Sequence, residues 1–506
     1  MASISISNLS FTYEGSSEAV FSSLTLQLDS DWRLGLIGRN GRGKTTLLQL
    51  LTGILHPQQG TIHCQIPTDY FPFSVSQPQK TAEEVAVTVS GIDPETERWR
   101  LEREIALLEL SENLLARPFD TLSGGEQTKL LLCALFLREN HFLLIDEPTN
   151  HLDLEGRQLV SRYLQKKRGF ILVSHDRDFL DGCIDHVLSI NRSDVELQKG
   201  NYSSWLQNRE RQDQFESSEN ERLKRDIRRL EQSARRSAGW SEQAERGKYH
   251  SHATGGEPAS TDRGYVGHKA AKMMKRAKSI QARREKALEE KQTLLKNIEL
   301  SQVGELSVSP LRHHRDKLVE CRNLSIAYHG KPVFHPISFS LQQGECLVLR
   351  GKNGCGKSSL LKLLAGHPLE YTGSFQMPGD LILSVVPQGC ETVTGSLQDF
   401  SRTHQLDFTK FLTILRKFGF TREQFETQTQ SYSTGQKRKV LLSASLCKPA
   451  HLYLWDEPLN YLDILSRQQL EALLVEYRPS MLLVEHDLAF CRHVATGEQM
   501  LLPYPR

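Results

Sequence analysis

Two glycine-rich runs carry the residues best suited to phosphate chemistry. Gly38–Thr45 (GRNGRGKT) and Gly351–Ser358 (GKNGCGKS) both fit the spacing GxxxxGK[ST], and each follows an apolar strand-like run (WRLGLI, ECLVL) and precedes a helix-like one. Gly38, Gly41 and Gly43, and again Gly351, Gly354 and Gly356, let backbone N–H groups approach an anion, with Asn40 and Asn353 inside the loops. Lys44 and Lys357 are then expected on the β- and γ-phosphates, and the Thr45 and Ser358 hydroxyls on Mg2+, with Thr46 and Ser359 next along. Two further apolar runs end in Asp-Glu-Pro. Asp146 and Asp456 at those strand ends are placed to hold Mg2+ through water, and Glu147 and Glu457 to polarise an attacking water. His175 and His486 lie beyond one more strand and can donate to a γ-phosphate. Such a set implies phosphoanhydride hydrolysis at two sites.

The elements that position these residues occur twice. GRNGRGKTTLL (38–48) returns as GKNGCGKSSLL (351–361), FLLIDEPTNHLD (142–153) as LYLWDEPLNYLD (452–463), and ILVSHD (171–176) as LLVEHD (482–487). The opening runs ISNLSFTY (6–13) and CRNLSIAY (321–328) also match, and the Lys, Asp and His markers keep an offset of 310–313 residues. One offset held by several markers indicates duplication of a whole domain. Each copy alternates short β-rich apolar runs with amphipathic stretches, the pattern of an α/β domain with a largely parallel sheet.

The 506 residues suffice for about three domains. Hydrophobic residues at 38% and charged residues at 25% describe a soluble globular chain. No apolar run approaches the roughly 20 residues that cross a bilayer, and the start, MASISISNLSF, has no secretory pattern. The nine cysteines form no CxxC pair or metal spacing, as expected of reduced cysteines in a cytoplasmic protein. The net charge of +2 is unevenly spread: Arg209–Lys291 holds 21 Lys/Arg against 14 Asp/Glu. That segment is also helix-patterned. Leu223, Ile227, Leu230 and Ala234 mark one seam, Met273, Ala277, Ile280, Ala287, Leu294 and Ile298 a second, with a Gly/Ser-rich break at Tyr249–Gly267 between them. An antiparallel helical hairpin is predicted, its arms reaching roughly 60 Å. Arg263, Lys269, Lys272, Lys275, Arg276, Lys278, Arg283 and Arg284 face no intervening acid, which favours contact with RNA phosphates over a merely solvated face. Trp240, Tyr249, His250, His252 and Tyr265 form the candidate tip, where rings can stack on nucleotides.

The segments LSGGEQ (122–127) and YSTGQ (432–436), added to the paired phosphate loops, Asp-Glu pairs and late histidines, resemble the ATP-binding-cassette superfamily. The resemblance implies two ABC-type P-loop ATPase domains that close head to tail on two ATP molecules. Ser433 and Gly435 would then cap the nucleotide at Lys44, and Ser123 and Gly125 the one at Lys357. Tyr13 and Tyr328 match the aromatic that stacks on adenine, although each alone reads as core. Two departures stand out. Thr434 replaces the second signature glycine, and the loop glutamine found at Gln388 (VVPQ) is Phe73 in the first copy (YFPF), where Gln77 or Gln79 would have to substitute. Hydrolysis is expected at both sites, unequally.

Two cassettes joined by a charged helical linker look like subfamily F of the superfamily. The segments RPFDTLSGGEQTK, ARRSAGWS, AAKMMKRAK and WDEPLNYLD are similar to antibiotic-resistance ribosomal-protection proteins of the Lsa type. The expected layout is a first cassette at 1–200 with a short arm insert at about 77–117, a linker at 201–315 and a second cassette at 316–506. The resemblance implies a cytoplasmic monomer that pairs its own cassettes, enters the E site of the 70S ribosome beside 23S rRNA and P-site tRNA, and displaces lincosamides, pleuromutilins and streptogramin A with its linker tip. The alternatives are a housekeeping translation factor of the same subfamily and, from another class, the ATPase subunit of an exporter.

Overall fold

The computed structural model describes residues 3–14, 19–150, 152–191, 195–212 and 308–504, with a few single positions between 214 and 279. The chain divides into two units, Met1–Trp205 with Val303–Arg506, and Leu206–Gln302. Both sequence copies fall in the first unit.

In the first copy, β3 (Arg33–Gly38), β5 (Thr68–Phe71), β6 (Phe142–Asp146), β7 (Phe170–Val173), β8 (His186–Ile190) and β9 (Val195–Lys199) form a sheet in the order β5-β6-β7-β3-β8-β9. All pairings are parallel except that of β8 with β9. In the second copy, β13 (Cys346–Arg350), β15 (Leu383–Val386), β16 (Leu452–Asp456), β17 (Met481–Val484) and β18 (Gly497–Met500) repeat the order as β15-β16-β17-β13-β18, without the antiparallel edge strand. Strands buried on both faces must be apolar throughout, and FLLI and LYLW at β6 and β16 are buried at every position. The parallel reading of the repeats therefore holds for the central sheets. Each copy adds an antiparallel layer: β1 (Ser3–Phe11) between β2 (Phe21–Asp29) and β4 (Gln59–Cys64), and β10 (Lys317–Tyr328) with β11 (Lys331–Pro332), β12 (Ile337–Gln342) and β14 (Glu370–Gln376). The side chains of Ile4, Ile6, Leu34, Leu36, Leu144 and Ile171 close the core between the two layers of the first copy.

The stretch 77–117 forms the helices Ala82–Ser90 and Arg98–Leu107. The second is held to the cassette by Glu104, only 2% exposed, which accepts from Tyr163 Oη at 2.7 Å and Lys167 Nζ at 2.6 Å. Burial pushes the Glu104 carboxyl up, but these two donors outweigh it and hold it below its ordinary value. A buried carboxylate stripped of its cation is costly. Lys167→Met is expected to destabilise the first cassette by about 3 kcal/mol in urea unfolding. Adding Glu104→Gln should recover most of the loss, and no recovery would show that the ion pair is not what anchors the helix.

Candidate active site

Gly38 ends β3, Asp146 ends β6 and His175 follows β7, and these three strands are neighbours. Parallel strands bring their carboxyl ends to one edge of the sheet, so residues far apart in sequence converge there. Gly351, Asp456 and His486 converge in the same way beyond β13, β16 and β17.

Gly43 and Gly356 open the helices Lys44–Leu51 and Lys357–Leu364 with φ of 91° and 95° and no side-chain cap, so the first-turn N–H groups stay free for an anion. A Cβ on Gly43 would lie 2.5 Å from Val20 and 2.9 Å from Phe21, so glycine is needed there for space as well as for conformation. Lys44 Nζ donates to Gly38 O at 2.7 Å and to Arg39 O and Asn40 Oδ1 at 3.2 Å. Lys357 Nζ donates to Gly351 O at 2.7 Å and Lys352 O at 3.1 Å. Gly41, Asn353 and Gly354 lie on the exposed side of the loops. Tyr13 and Tyr328 are 45% and 44% exposed, and their hydroxyls bond Thr46 and Ser359, each at 2.9 Å. The rings are open beside the phosphate loops, which corrects the reading of either as core.

Thr45 Oγ1 donates to Asp146 Oδ2 at 3.1 Å, and the Ser358 hydroxyl bonds Asp456. A hydroxyl beside a carboxylate is an oxygen set that suits Mg2+ together with water and phosphate oxygens, and Asp456 Oδ1 is buried with no partner among the described residues. The residues fit the ion.

The two glutamates share a backbone and differ in their surroundings. Glu147 and Glu457 have φ of 50° and 48°, and their N–H groups donate to Val173 O and Val484 O at 2.9 Å. Left-handed backbone at a non-glycine residue is costly and is held here by the neighbouring strand. Glu457 accepts from Gln388 Nε2 at 3.0 Å and Asn460 Nδ2 at 2.7 Å, while His486 Nε2 stands 3.6 Å away, too far for a hydrogen bond. Burial pushes its carboxyl up, but His486 and Gln388 outweigh that and hold it at about 2. Glu147 has His175 Nε2 at 3.4 Å, and its Oε1 is buried without a hydrogen bond among the described residues. Burial, with Asp146 beside it, pushes this carboxyl up to about 8. Burial and the charges of Lys44 and Arg467 push His175 well down, so its ring is neutral.

Strand register explains the difference. Tyr70 pairs with Leu144 and Val385 with Leu454, so Phe73 occupies the place of Gln388. Gln77 and Gln79 are exposed, and it is Tyr70 that reaches the site, its hydroxyl donating to Asp146 Oδ2 at 3.1 Å. Tyr70 and Asn460 are absent from the motif reading. Setting the two copies side by side exposes Tyr70, since its counterpart is a valine.

The copies also meet each other. Asn40 Nδ2 donates to Tyr461 O at 3.0 Å, and a Cβ on Gly435 would lie 3.1 Å from the same nitrogen. Asp463 and Lys439 of the second copy act on the charge of Lys44. Gly435 and Lys44 are thereby brought together, with Ser433 capping the helix Thr434–Cys447 and Thr434 exposed at its first position. At Lys357 the cross-copy contact is Lys352 Nζ to Glu155 Oε2 at 3.2 Å, beside a cavity of about 110 Å³ lined by Asp153, Gly351 and His486. Ser123 caps its own helix, Gly124–Phe136, through Glu126, and Gly125 lies in its first turn. Arg177 and Glu471 add an ion pair at 3.0 Å between the copies.

The cations Arg263, Lys269, Lys272, Lys275, Arg276, Lys278, Arg283 and Arg284 and the tip residues Trp240, Tyr249, His250, His252 and Tyr265 lie outside the described residues.

A family model described as ABC transporter matches residues 21–150 and again 334–460, together half of the chain, and the chain belongs to that family as a tandem ATP-binding-cassette ATPase. Over 503 residues it is 29% identical to the ribosome protection protein VmlR of Bacillus subtilis (strain 168), covering 98% of this chain and 86% of that protein. It is 27% identical to the energy-dependent translational throttle protein EttA of Haemophilus influenzae, covering 92% and 86%. Among solved structures, archaeal ribosome recycling factor aABCE1 in complex with the stalk protein aP1 superposes with a TM-score of 0.59 at 18% identity, over 97% of this chain and 87% of that one. At that identity the likeness concerns the fold.

The Gln388 bond generates a test. With Glu147→Gln silencing the first site, Gln388→Leu is expected to lower steady-state ATP turnover by about tenfold. A change below twofold would show that Asn460 alone suffices to orient Glu457.

Proposed function

We propose that this chain is a subfamily F protein of the Lsa type that binds the 70S ribosome with its cassettes closed on ATP. In this reading it enters the E site beside P-site tRNA and drives its linker tip toward the 23S rRNA of the peptidyl-transferase centre, displacing lincosamides, pleuromutilins and streptogramin A. The observation that carries the reading is the pairing of both cassettes within one chain around a basic intervening segment, in a sequence that matches a ribosome protection protein over 98% of its length. No described helix is long and apolar enough to cross a membrane. Similarity to a translational throttle protein supports the housekeeping factor as the second reading.

ATP is bound by the N–H groups of the phosphate loops with Lys44 and Lys357, and adenine by the Tyr13 and Tyr328 rings. Mg2+ held by Thr45 with Asp146 and by Ser358 with Asp456 would supply charge neutralisation on the phosphates. Ser433 and Gly435 cap the first nucleotide, and Ser123 and Gly125 the second. Glu457, ionised and oriented by Gln388 and Asn460, takes a proton from the attacking water. His486 donates to the γ-phosphate. At the first site His175 donates to the γ-phosphate and Glu147 takes the proton only in its ionised fraction, which burial and Asp146 keep small, so turnover there is slower. Hydrolysis opens the seam and resets the protein.

Glu147→Gln together with Glu457→Gln should trap the closed state, so that the protein co-sediments with 70S ribosomes in ATP and not in ADP. Equal sedimentation in both nucleotides would remove the ribosomal reading. Expression in a sensitive bacterium should raise the inhibitory concentration of at least one of the three drug classes at least fourfold, and unchanged sensitivity to all three would favour the housekeeping factor.

A further inference from the structure

Arg438 is 1% exposed, and its guanidinium is spent on backbone. Nη1 donates to Pro387 O at 2.5 Å, and Nη2 to Glu457 O at 2.5 Å and Asp456 O at 3.1 Å. Pro387 directly precedes Gln388, and Asp456 and Glu457 are the carboxylates of the second site. One side chain thus holds the three backbone positions that set where Gln388 and Glu457 point. A buried guanidinium presents its donors in a rigid planar fork that spans separated carbonyls, whereas the three donors of a lysine radiate from a single nitrogen.

The helix that carries Arg438 faces the other nucleotide. Gly435 lies three residues earlier, about one turn, and meets Asn40 of the first phosphate loop and the Tyr461 carbonyl. A helix moves as a stiff unit, so a shift at its capped N-terminus is carried to Arg438. In the first cassette the same helix position is Thr128, whose side chain has no such reach, and the neighbouring Gln127 bonds Phe119 O and Leu122 O instead.

We propose that Arg438 is a positioning residue that links the two ATP sites in one direction: engagement of Ser433 and Gly435 with nucleotide at Lys44 aligns Glu457 and Gln388 at the second site, and no matching link back is found among the described residues of the first cassette. This rests on the reading of Ser433 and Gly435 as the cap of the first nucleotide.

The test uses the full-length protein with turnover resolved by site. In a Glu147→Gln background only the second site turns over, and Arg438→Met should lower its kcat at least tenfold with KM changed less than twofold. Arg438→Lys, which keeps the charge but gathers its donors on one nitrogen, should recover at least a third of the rate. In a Glu457→Gln background, where only the first site turns over, Arg438→Met should change the rate less than twofold. Lys44→Ala, which empties the first site, should slow the second site when Arg438 is present and have no further effect once it is Met. Equal losses in the two backgrounds, a loss carried by KM, or additive effects of Lys44→Ala and Arg438→Met would overturn the link. If Lys44→Ala leaves the second site unaffected even with Arg438 present, the assignment of the cap itself fails. Thermal unfolding checks each variant, and if the Met variant does not fold, the Lys variant carries the test with an expected threefold loss confined to the second site.

Discussion

A Cβ on Gly435 would sit 3.1 Å from Asn40 Nδ2, the nitrogen that donates to the Tyr461 carbonyl at 3.0 Å, so the second cassette's signature helix lies directly against a side chain of the first phosphate loop. The charges of Asp463 and Lys439, a buried pair at 2.8 Å in the second cassette, act on Lys44 of the first. Burying an ion pair is tolerable only when its geometry is satisfied. The Lys439 ammonium also donates to Phe418 O at 3.0 Å, and the Asp463 carboxylate accepts the N–H of Ser466 at 2.8 Å, so each charge has a second partner. The composite character of the site follows from this seam.

Around a common frame the two sites are wired differently. Arg157 and Arg467 occupy equivalent positions and bond equivalent partners, Asp176 and Asp487, which shows how closely the duplication is kept where structure alone is at stake. The copies diverge beside the reacting groups. Gln388, Asn460 and Arg438 order Glu457, whereas the first site has Phe73 and Thr128 and a tyrosine hydroxyl on Asp146. An ordered, ionised carboxylate suits repeated turnover. A carboxyl pushed up to about 8 by burial is mostly protonated at neutral pH and is the poorer proton acceptor of the two.

Most of the frame was legible because its motifs are local. A phosphate loop is eight consecutive residues whose spacing follows from backbone geometry, and an Asp-Glu pair after an apolar strand announces its own strand end. Tyr70 and Arg438 carry no local signal because the partner of Tyr70 lies 76 residues away and those of Arg438 lie 18, 19 and 51 residues away, and no local pattern encodes such contacts. Their trace is a mismatch between the copies, a tyrosine against Val385 and an arginine against Thr128. Tyr13 and Tyr328 were ambiguous for a related reason: a lone ring after a strand reads equally as core or as platform until its exposure is known.

In the first cassette, β9 is an edge strand with no counterpart among the described residues of the second, and the chain leaves the first copy after it. On return the chain is fastened elsewhere: Pro310 bridges Ala450, Leu311 N donates to Ala450 O at 2.8 Å, and His313 Nε2 meets Asp380 at 3.0 Å. Within the paired cassettes the chain thus leaves the first copy at one edge of its sheet and rejoins the second copy beside the opposite edge of the other. The distance between exit and re-entry is therefore a property of the seam, and any change in how the two copies meet changes it.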